Sequence, residues 1–295
     1  MANKTSNDEL VLGVPKGSLQ KSTLELFEKA GYDIHIPSRS YVPTINDDTM
    51  ACLMFRAQEM SRYVEQGIVD FGLTGYDWVC ENESDVVEVC ELVYSKVSAK
   101  PAKWILAVPE ETGVTDVKQL EGGTVATELM NVTRKFFADQ GVNVNVEFSW
   151  GATEVKARLL DGIVDVTETG SSIRANKLRV IAELMTSTPR LIANKDAMEI
   201  PWKREKIENI AMLLKGALDA RNQCGLKMNA PKDRLAEILA LLPSEKSPTV
   251  SQLADDDWVA IEVIAEDRAE RDIAPQLKRA GATGIITYPL NTILH

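Results

Sequence analysis

Two ten-residue stretches of this chain echo one another: QGIVDFGLTG at 66–75 and DGIVDVTETG at 161–170. In each, a helix-like run ends in glycine, Ile-Val-Asp follows, and an extended stretch reaches Thr-Gly four residues past the start of its aspartate. An echo at so long a separation predicts two similar lobes, not a short-period solenoid. Around both copies, short apolar runs alternate with helical spacing. That alternation predicts α/β lobes with largely parallel sheets.

The chain is long enough for both lobes and a further domain: its 295 residues exceed one comfortable hydrophobic core. Strands are predicted at 10–14, 68–72, 104–109, 123–127, 144–148 and 163–166. Helices are predicted at 19–30 and 56–66, the second stopped by Gly67. After Gly170, 173–178 reads as helix. The stretches 180–184 and 190–194 read as extended segments that return the chain to the first lobe. A helical stretch at 202–222 precedes a change of character near residue 223. From there the order is strand, helix, strand, strand, helix, strand, the ferredoxin-like βαββαβ pattern. The expected division is 1–100 plus 188–222 for lobe I, 101–187 for lobe II, and 223–295 for a small C-terminal domain.

A formal net charge of -11 excludes a chain built mainly to hold nucleic acid, which needs a basic surface. It does not exclude small anions, which backbone N–H groups and a few cations hold locally. Cys52, Cys80, Cys90 and Cys224 form no CxxC, and with two histidines no structural zinc site is expected. The opening MANKTSNDEL has no apolar segment of the signal-peptide kind, and no run approaches the roughly 20 apolar residues of a membrane span. The expectation is a cytoplasmic protein with reduced thiols and no membrane partner. Trp78, Trp104, Trp150 and Trp258 stand in apolar surroundings and are expected in the core.

The second copy of the echo carries the sharper chemistry. In GIVDVTETGSSIRANKL, 162–178, a strand ends near Asp165, Glu168 follows, and Thr169-Gly170-Ser171-Ser172 opens a helix-like stretch. In an open α/β sheet, ligands bind beyond the carboxyl ends of the strands. A small-residue turn there presents several N–H groups to a monophosphate, while the carboxylate accepts from hydroxyls such as those of a ribose. The same pattern also fits a strand end followed by a capped helix.

With VPKGSLQKSTLELFEKAG at 14–31, VDFGLTGYDWV at 69–79 and GATEVKARLLDGIVDVTETGSSIRANKL at 151–178, this loop resembles that of the phosphoribosyltransferases. More closely, the chain resembles the ATP phosphoribosyltransferases of histidine biosynthesis. The tail segments NAPKDRLAEILALLPSEKSPTV at 229–250 and GATGIITYPLNTIL at 281–294 are similar to the long form of that family. The resemblance implies a catalytic part like the type II periplasmic binding proteins, two lobes around a cleft, followed by a regulatory domain. It implies attack of N1 of ATP on C1 of 5-phosphoribosyl 1-diphosphate, with pyrophosphate leaving. Magnesium arrives with the diphosphate, and no dedicated protein metal site is expected.

By the same resemblance, Asp165 and Glu168 are the catalytic candidates. Thr169, Gly170, Ser171 and Ser172 hold the 5-phosphate, with Gly151, Ala152 and Thr153 helping with the pyrophosphate. Lys16, Gly17, Arg56, Asp70, Gly72, Thr74 and Gly75 are assigned to ATP. The tail implies feedback inhibition by L-histidine, with Asn229, Glu245 and Thr249 as contacts, and homo-oligomers from dimer to hexamer.

Overall fold

In the computed structural model, residues 8–37, 42–94, 101–242 and 248–295 are described. The chain divides into two compact units, 1–211 and 212–295.

The larger unit opens with β1 (Leu10–Lys16), α1 (Gln20–Lys29), β2 (Ile34–His35) and β3 (Thr44–Ile45). Next come β4 (Met50–Arg56), α2 (Ala57–Glu65), β5 (Phe71–Gly75), α3 (Tyr76–Glu81) and β6 (Val87–Glu91). It continues with β7 (Ala102–Pro109), β8 (Thr124–Thr127), α4 (Met130–Gln140), β9 (Asn145–Phe148) and α5 (Thr153–Lys156). Then follow β10 (Gly162–Thr167), α6 (Ser171–Ala175), β11 (Leu178–Ser187) and β12 (Pro189–Ala193). α7 (Lys195–Met198) and the long α8 (Pro201–Asp219) come next, and the boundary between the units falls within α8.

Two five-stranded sheets result, with orders β4-β1-β5-β12-β6 and β11-β7-β10-β8-β9. They share one plan. In each, a central strand pairs in parallel with both neighbours: β1 with β4 and β5, and β8 with β9 and β10. In each, an antiparallel strand is inserted beside the third: β12 beside β5, β7 beside β10. The expectation of largely parallel sheets is corrected here. The inserted strand enters from the other lobe, so it runs against its neighbours, and each sheet is mixed.

The two echo segments occupy the same topological place, leading into and forming the third strands β5 and β10. Their registers differ. The predicted strand 68–72 begins instead at Phe71, because Gly67 takes a left-handed φ of 68° and Ile68 N–H donates to the Tyr63 carbonyl at 2.9 Å, finishing α2. β5 then runs straight into α3. β10 stops at Thr167, leaving Glu168–Gly170 as a loop before α6. The predicted helix 173–178 is also displaced. It ends at Ala175, and Lys177 at φ 53° turns the chain into β11. β11 stays in the second sheet, and β12 alone makes the return that was expected of both extended segments.

Continuous apolar runs build the sheet cores, because these strands are buried on both faces. Leu10, Leu12 and Val14 of β1 are fully buried, as are Leu106 and Val108 of β7 and Ile163 and Val164 of β10. Trp150 departs from its expected core position. It follows edge strand β9, is 91% exposed, and stacks edge-on against Phe148 with ring centres 4.7 Å apart.

The smaller unit has β13 (Gln223–Pro231), α9 (Leu235–Leu241), β14 (Thr249–Gln252), β15 (Trp258–Glu266), α10 (Asp267–Arg279) and β16 (Thr283–Pro289). The sheet order β14-β15-β13-β16, antiparallel throughout, is the ferredoxin-like arrangement. Leu226, Met228 and Ala230 of β13 pack with Ile238 of α9 and Leu277 of α10, so the helices cover one sheet face.

Candidate active site

A cavity of about 460 Å³ lies in the larger unit at the strand ends of both sheets, within the size range of small-molecule sites. Its first-lobe wall contains Lys16, Gly17, Arg56, Gly75 and Asp77. Its second-lobe wall contains Trp104, Glu128, Asp165 and Glu168, and Ser187, Thr188 and Pro189 close it at the crossover.

Strand register creates the basic wall. Lys16 and Arg56 are partners in the parallel pairing of β1 and β4, and both are the last residues of their strands. Two cations therefore stand on adjacent strand ends. Arg56 is exposed, makes no ion pair among the described residues, and occupies the N-cap position of α2. A cation there opposes the helix dipole, which an anionic ligand would offset.

The opposing wall is acidic. Asp165 lies in β10 opposite Ile105 of β7, and its Oδ1 accepts from Val166 N–H at 2.8 Å. Burial lifts its pKa to about 6, and the nearby Glu154 and Glu128 carboxylates push the same way against that hydrogen bond. The group is thus a carboxylate near neutral pH and an acid only a little below it.

Past Glu168, the loop 169–172 lies outside the cavity wall. Gly170 N–H donates to Thr167 Oγ1 at 2.8 Å and Thr169 Oγ1 donates to Ser171 Oγ at 3.0 Å, with Gly170 at φ 69°. Gly151 and Ala152 also have positive φ, 107° and 49°. Thr153 is buried, its hydroxyl paired with Ser149 at 2.7 Å, and Lys156 donates to the same Ser149 oxygen. These residues do not line the cavity, although a Cβ at Gly151 would lie 3.9 Å from Glu128 Oε1.

Three residues assigned to ATP do not line the cavity. Asp70 is 2% exposed; its Oδ2 accepts from Lys203 Nζ at 2.9 Å and from Val11 N–H at 2.8 Å. Thr74 is fully buried, donating to the Ala57 carbonyl at 2.6 Å. Gly72 sits within β5, where a Cβ would meet Met60 Sδ at 2.7 Å. All three lie behind the cavity wall because β5 starts later than the echo suggests.

Asp77, Glu128 and the crossover residues Ser187 and Thr188 escaped the sequence reading. Asp77 lies two residues past the Thr-Gly of the first echo with nothing in the sequence to mark it. In the structure it is 7% exposed and accepts from Trp104 Nε1 at 2.7 Å and Trp78 N–H at 3.0 Å. Burial raises its pKa, against hydrogen bonds from Trp104, Ser187 and Trp78. Glu128 follows β8 in a stretch with no motif.

Among the described residues, no group of three or more His, Cys, Asp or Glu is placed to hold a metal ion, and no helix is long and apolar enough to cross a membrane. In the smaller unit, Asn229 and Thr249 lie on the sheet face away from the helices, on β13 and β14 with β15 between them. Glu245 lies outside the described residues.

Fold and cavity together define a two-lobed α/β cleft protein of the periplasmic-binding-protein type. One structural relative shares that architecture: a "Putative L-Cystine ABC transporter" from Listeria monocytogenes, TM-score 0.50 and 14% identity over 72% of this chain and 91% of that one. Likewise, the fold matches the "ATP phosphoribosyl transferase (HisG:HisZ) complex" of Thermotoga maritima, TM-score 0.61 and 22% identity over 70% of this chain and 98% of that one. Residues 56–216 match the family described as ATP phosphoribosyltransferase, and residues 220–292 its C-terminal domain. The chain is 57% identical to the ATP phosphoribosyltransferase of Prosthecochloris aestuarii over 98% of its length and 99% of the relative's. It is 56% identical to ATP phosphoribosyltransferase 1 of Geobacter sulfurreducens over 97% and 99%. The chain belongs to the ATP phosphoribosyltransferase family, in the long form that carries the extra C-terminal domain.

Proposed function

We propose that this chain transfers the 5-phosphoribosyl group of phosphoribosyl diphosphate to N1 of ATP and releases pyrophosphate, the first step of histidine biosynthesis. The observation that carries the reading is the polarity of the cavity. The Lys16 and Arg56 cations stand on one wall, which also holds the buried Asp77, and the Asp165, Glu128 and Glu168 carboxylates stand on the other.

The bond between C1 and the pyrophosphate oxygen breaks as the N1–C1 bond forms. The N1 lone pair supplies the new bond, and the leaving group keeps the old pair. Charge separates in that step: the ribosyl ring becomes oxocarbenium-like and pyrophosphate gains negative charge. The two walls suit those two charges. Asp165, ionised above a pKa of about 6, accepts from the ribose hydroxyls and offsets the cationic ring, with Glu168 beside it. Lys16 and Arg56 neutralise phosphate oxygens on the ATP side, where Gly17 and Gly75 keep the wall open. Thr169, Gly170, Ser171 and Ser172 take the 5-phosphate, and Gly151, Ala152 and Thr153 the diphosphate. Magnesium enters as a companion of the diphosphate substrate, carried by its oxygens and water.

We further propose a cytoplasmic homo-oligomer whose smaller unit binds L-histidine through Asn229, Thr249 and Glu245, and so inhibits the transfer. The test is direct. Pure protein is mixed with ATP, phosphoribosyl diphosphate and magnesium, and the product's ultraviolet absorbance is followed. Pyrophosphate and phosphoribosyl-ATP in equal amounts support the reading. Nucleotide binding without turnover would mark a sensor instead.

A further inference from the structure

α3 belongs to the first lobe by sequence, yet half its side chains serve the second. Val79 packs in the first-lobe core beside Met60 and Ile192. Trp78, next to it, packs against the second-lobe core and meets Trp104 edge to face, with ring centres 6.2 Å apart. Asp77 takes the Trp104 indole N–H. One turn further on, Glu81 reaches α4.

α4 lacks a cap of its own. Its N-cap residue is Leu129, fully buried, with no side-chain hydrogen bond to the first turn. An 11-residue helix with an apolar N-cap leaves first-turn N–H groups without local acceptors. Glu81 supplies the acceptors from across the lobe boundary. Its carboxylate takes Asn131 N–H at 2.9 Å and Val132 N–H at 3.1 Å, while Asn131 Nδ2 donates back to the Glu81 carbonyl at 2.9 Å. Glu81 is 8% exposed and is not part of the cavity wall.

We propose that Glu81 is a positioning residue for the transfer reaction: by capping α4 from α3, it sets the separation of the two cavity walls. This rests on the reading that one substrate lies on each wall. Aligning N1 with C1 then depends on how the lobes are held, and a misplacement of about 1 Å from a distant change can cost about 100-fold in rate.

Two variants test it, with the unmodified chain beside them. Glu81→Ala removes the cap. Asn131→Asp keeps α4 content, since an acid in the first turn suits the helix dipole, but sets a like charge against Glu81. In both, kcat is expected to fall by about 10- to 100-fold. Dissociation constants for ATP alone and for ribose 5-phosphate alone should stay within about threefold, since neither wall is altered. Amide exchange at Asn131 and Val132 should quicken in Glu81→Ala, and Glu81→Gln should recover part of kcat. If Glu81→Ala does not fold, Asn131→Asp carries the test, because Asn131 is exposed. Unchanged kcat in Asn131→Asp, or loss of both binding constants in step with kcat, overturns the positioning role alone. No product from the unmodified chain sinks the reaction itself and this role with it.

Discussion

The buried pair Asp70–Lys203 sets Asp70 apart from Asp165, its counterpart in the repeat, which lines the cavity. Lys203 is 1% exposed and Asp70 2%, and the pair spans 133 residues of sequence from the strand-side turn before β5 to α8. Lys203→Met removes the cation and leaves in the core a carboxylate that still accepts from the Val11 N–H. Breaking a buried pair on one side costs about 3–5 kcal/mol. With a urea dependence of about 2–3 kcal/mol per molar, the unfolding midpoint of the larger unit should fall by about 1–2.5 M. In Asp70→Asn/Lys203→Met the remaining amide still accepts from Val11 and no charge is stranded, so at least half of the loss should return. The assay is urea unfolding followed by circular dichroism, with the Michaelis constant for ATP measured on the folded fraction. A midpoint shift below about 0.3 M, or an ATP constant that rises tenfold while stability holds, would refute the structural assignment of Asp70.

Asp165→Asn should lower kcat by about 100-fold or more while the fold persists, the order of loss seen when one transition-state electrostatic group is removed; unchanged turnover would take Asp165 out of the mechanism. With its pKa raised to about 6, activity of the unmodified chain should drop as pH falls through about 6, and Asp165→Asn should lack that limb. Stability runs the other way: a raised carboxyl pKa means this group's contribution is fully present below about pH 4 and is lost as pH rises through about 6, which acid-side thermal melts can read. Gly75→Ala should cripple activity more than stability, because a Cβ there would lie 2.1 Å from Asp77 Oδ1 and must turn that cavity-wall side chain; normal kinetics would remove Asp77 from the working wall. Asn229→Ala should raise the histidine concentration needed for half inhibition and leave the uninhibited rate alone, and an unchanged inhibition curve would remove Asn229 from that site.

The repeated Gly-Ile-Val-Asp made the two-lobed plan legible, because each copy feeds the third strand of its sheet. What the repeat could not convey is register. Asp165 lies within β10 and faces the cavity, whereas Asp70 precedes β5 and faces the core. The difference is set by the C-terminal closure of α2 and by Lys203, far along the chain. Lys16 and Arg56 were individually visible, but their adjacency exists only through the pairing of β1 with β4. Asp77 and Glu81 carry no motif, since their partners Trp104 and Asn131 come from the other lobe, and Glu128 meets the like charge of Asp165 only across neighbouring strands. In the tail, helix and strand periodicity sufficed, because the order of its elements is itself the signature of the ferredoxin-like sheet.

Among the described residues β6 pairs with β12 and with no other strand, and β12 lies between it and β5. During synthesis, the chain must emerge from Glu91 to Pro189 before that partner exists, a delay of about 5–20 s at ordinary translation rates. Through that interval the nascent first lobe carries an unzipped edge while the whole of the second sheet is made. The lobe begun first is therefore finished last, and ribosome-stalled chains cut short of residue 189 should expose 87–91 to protease.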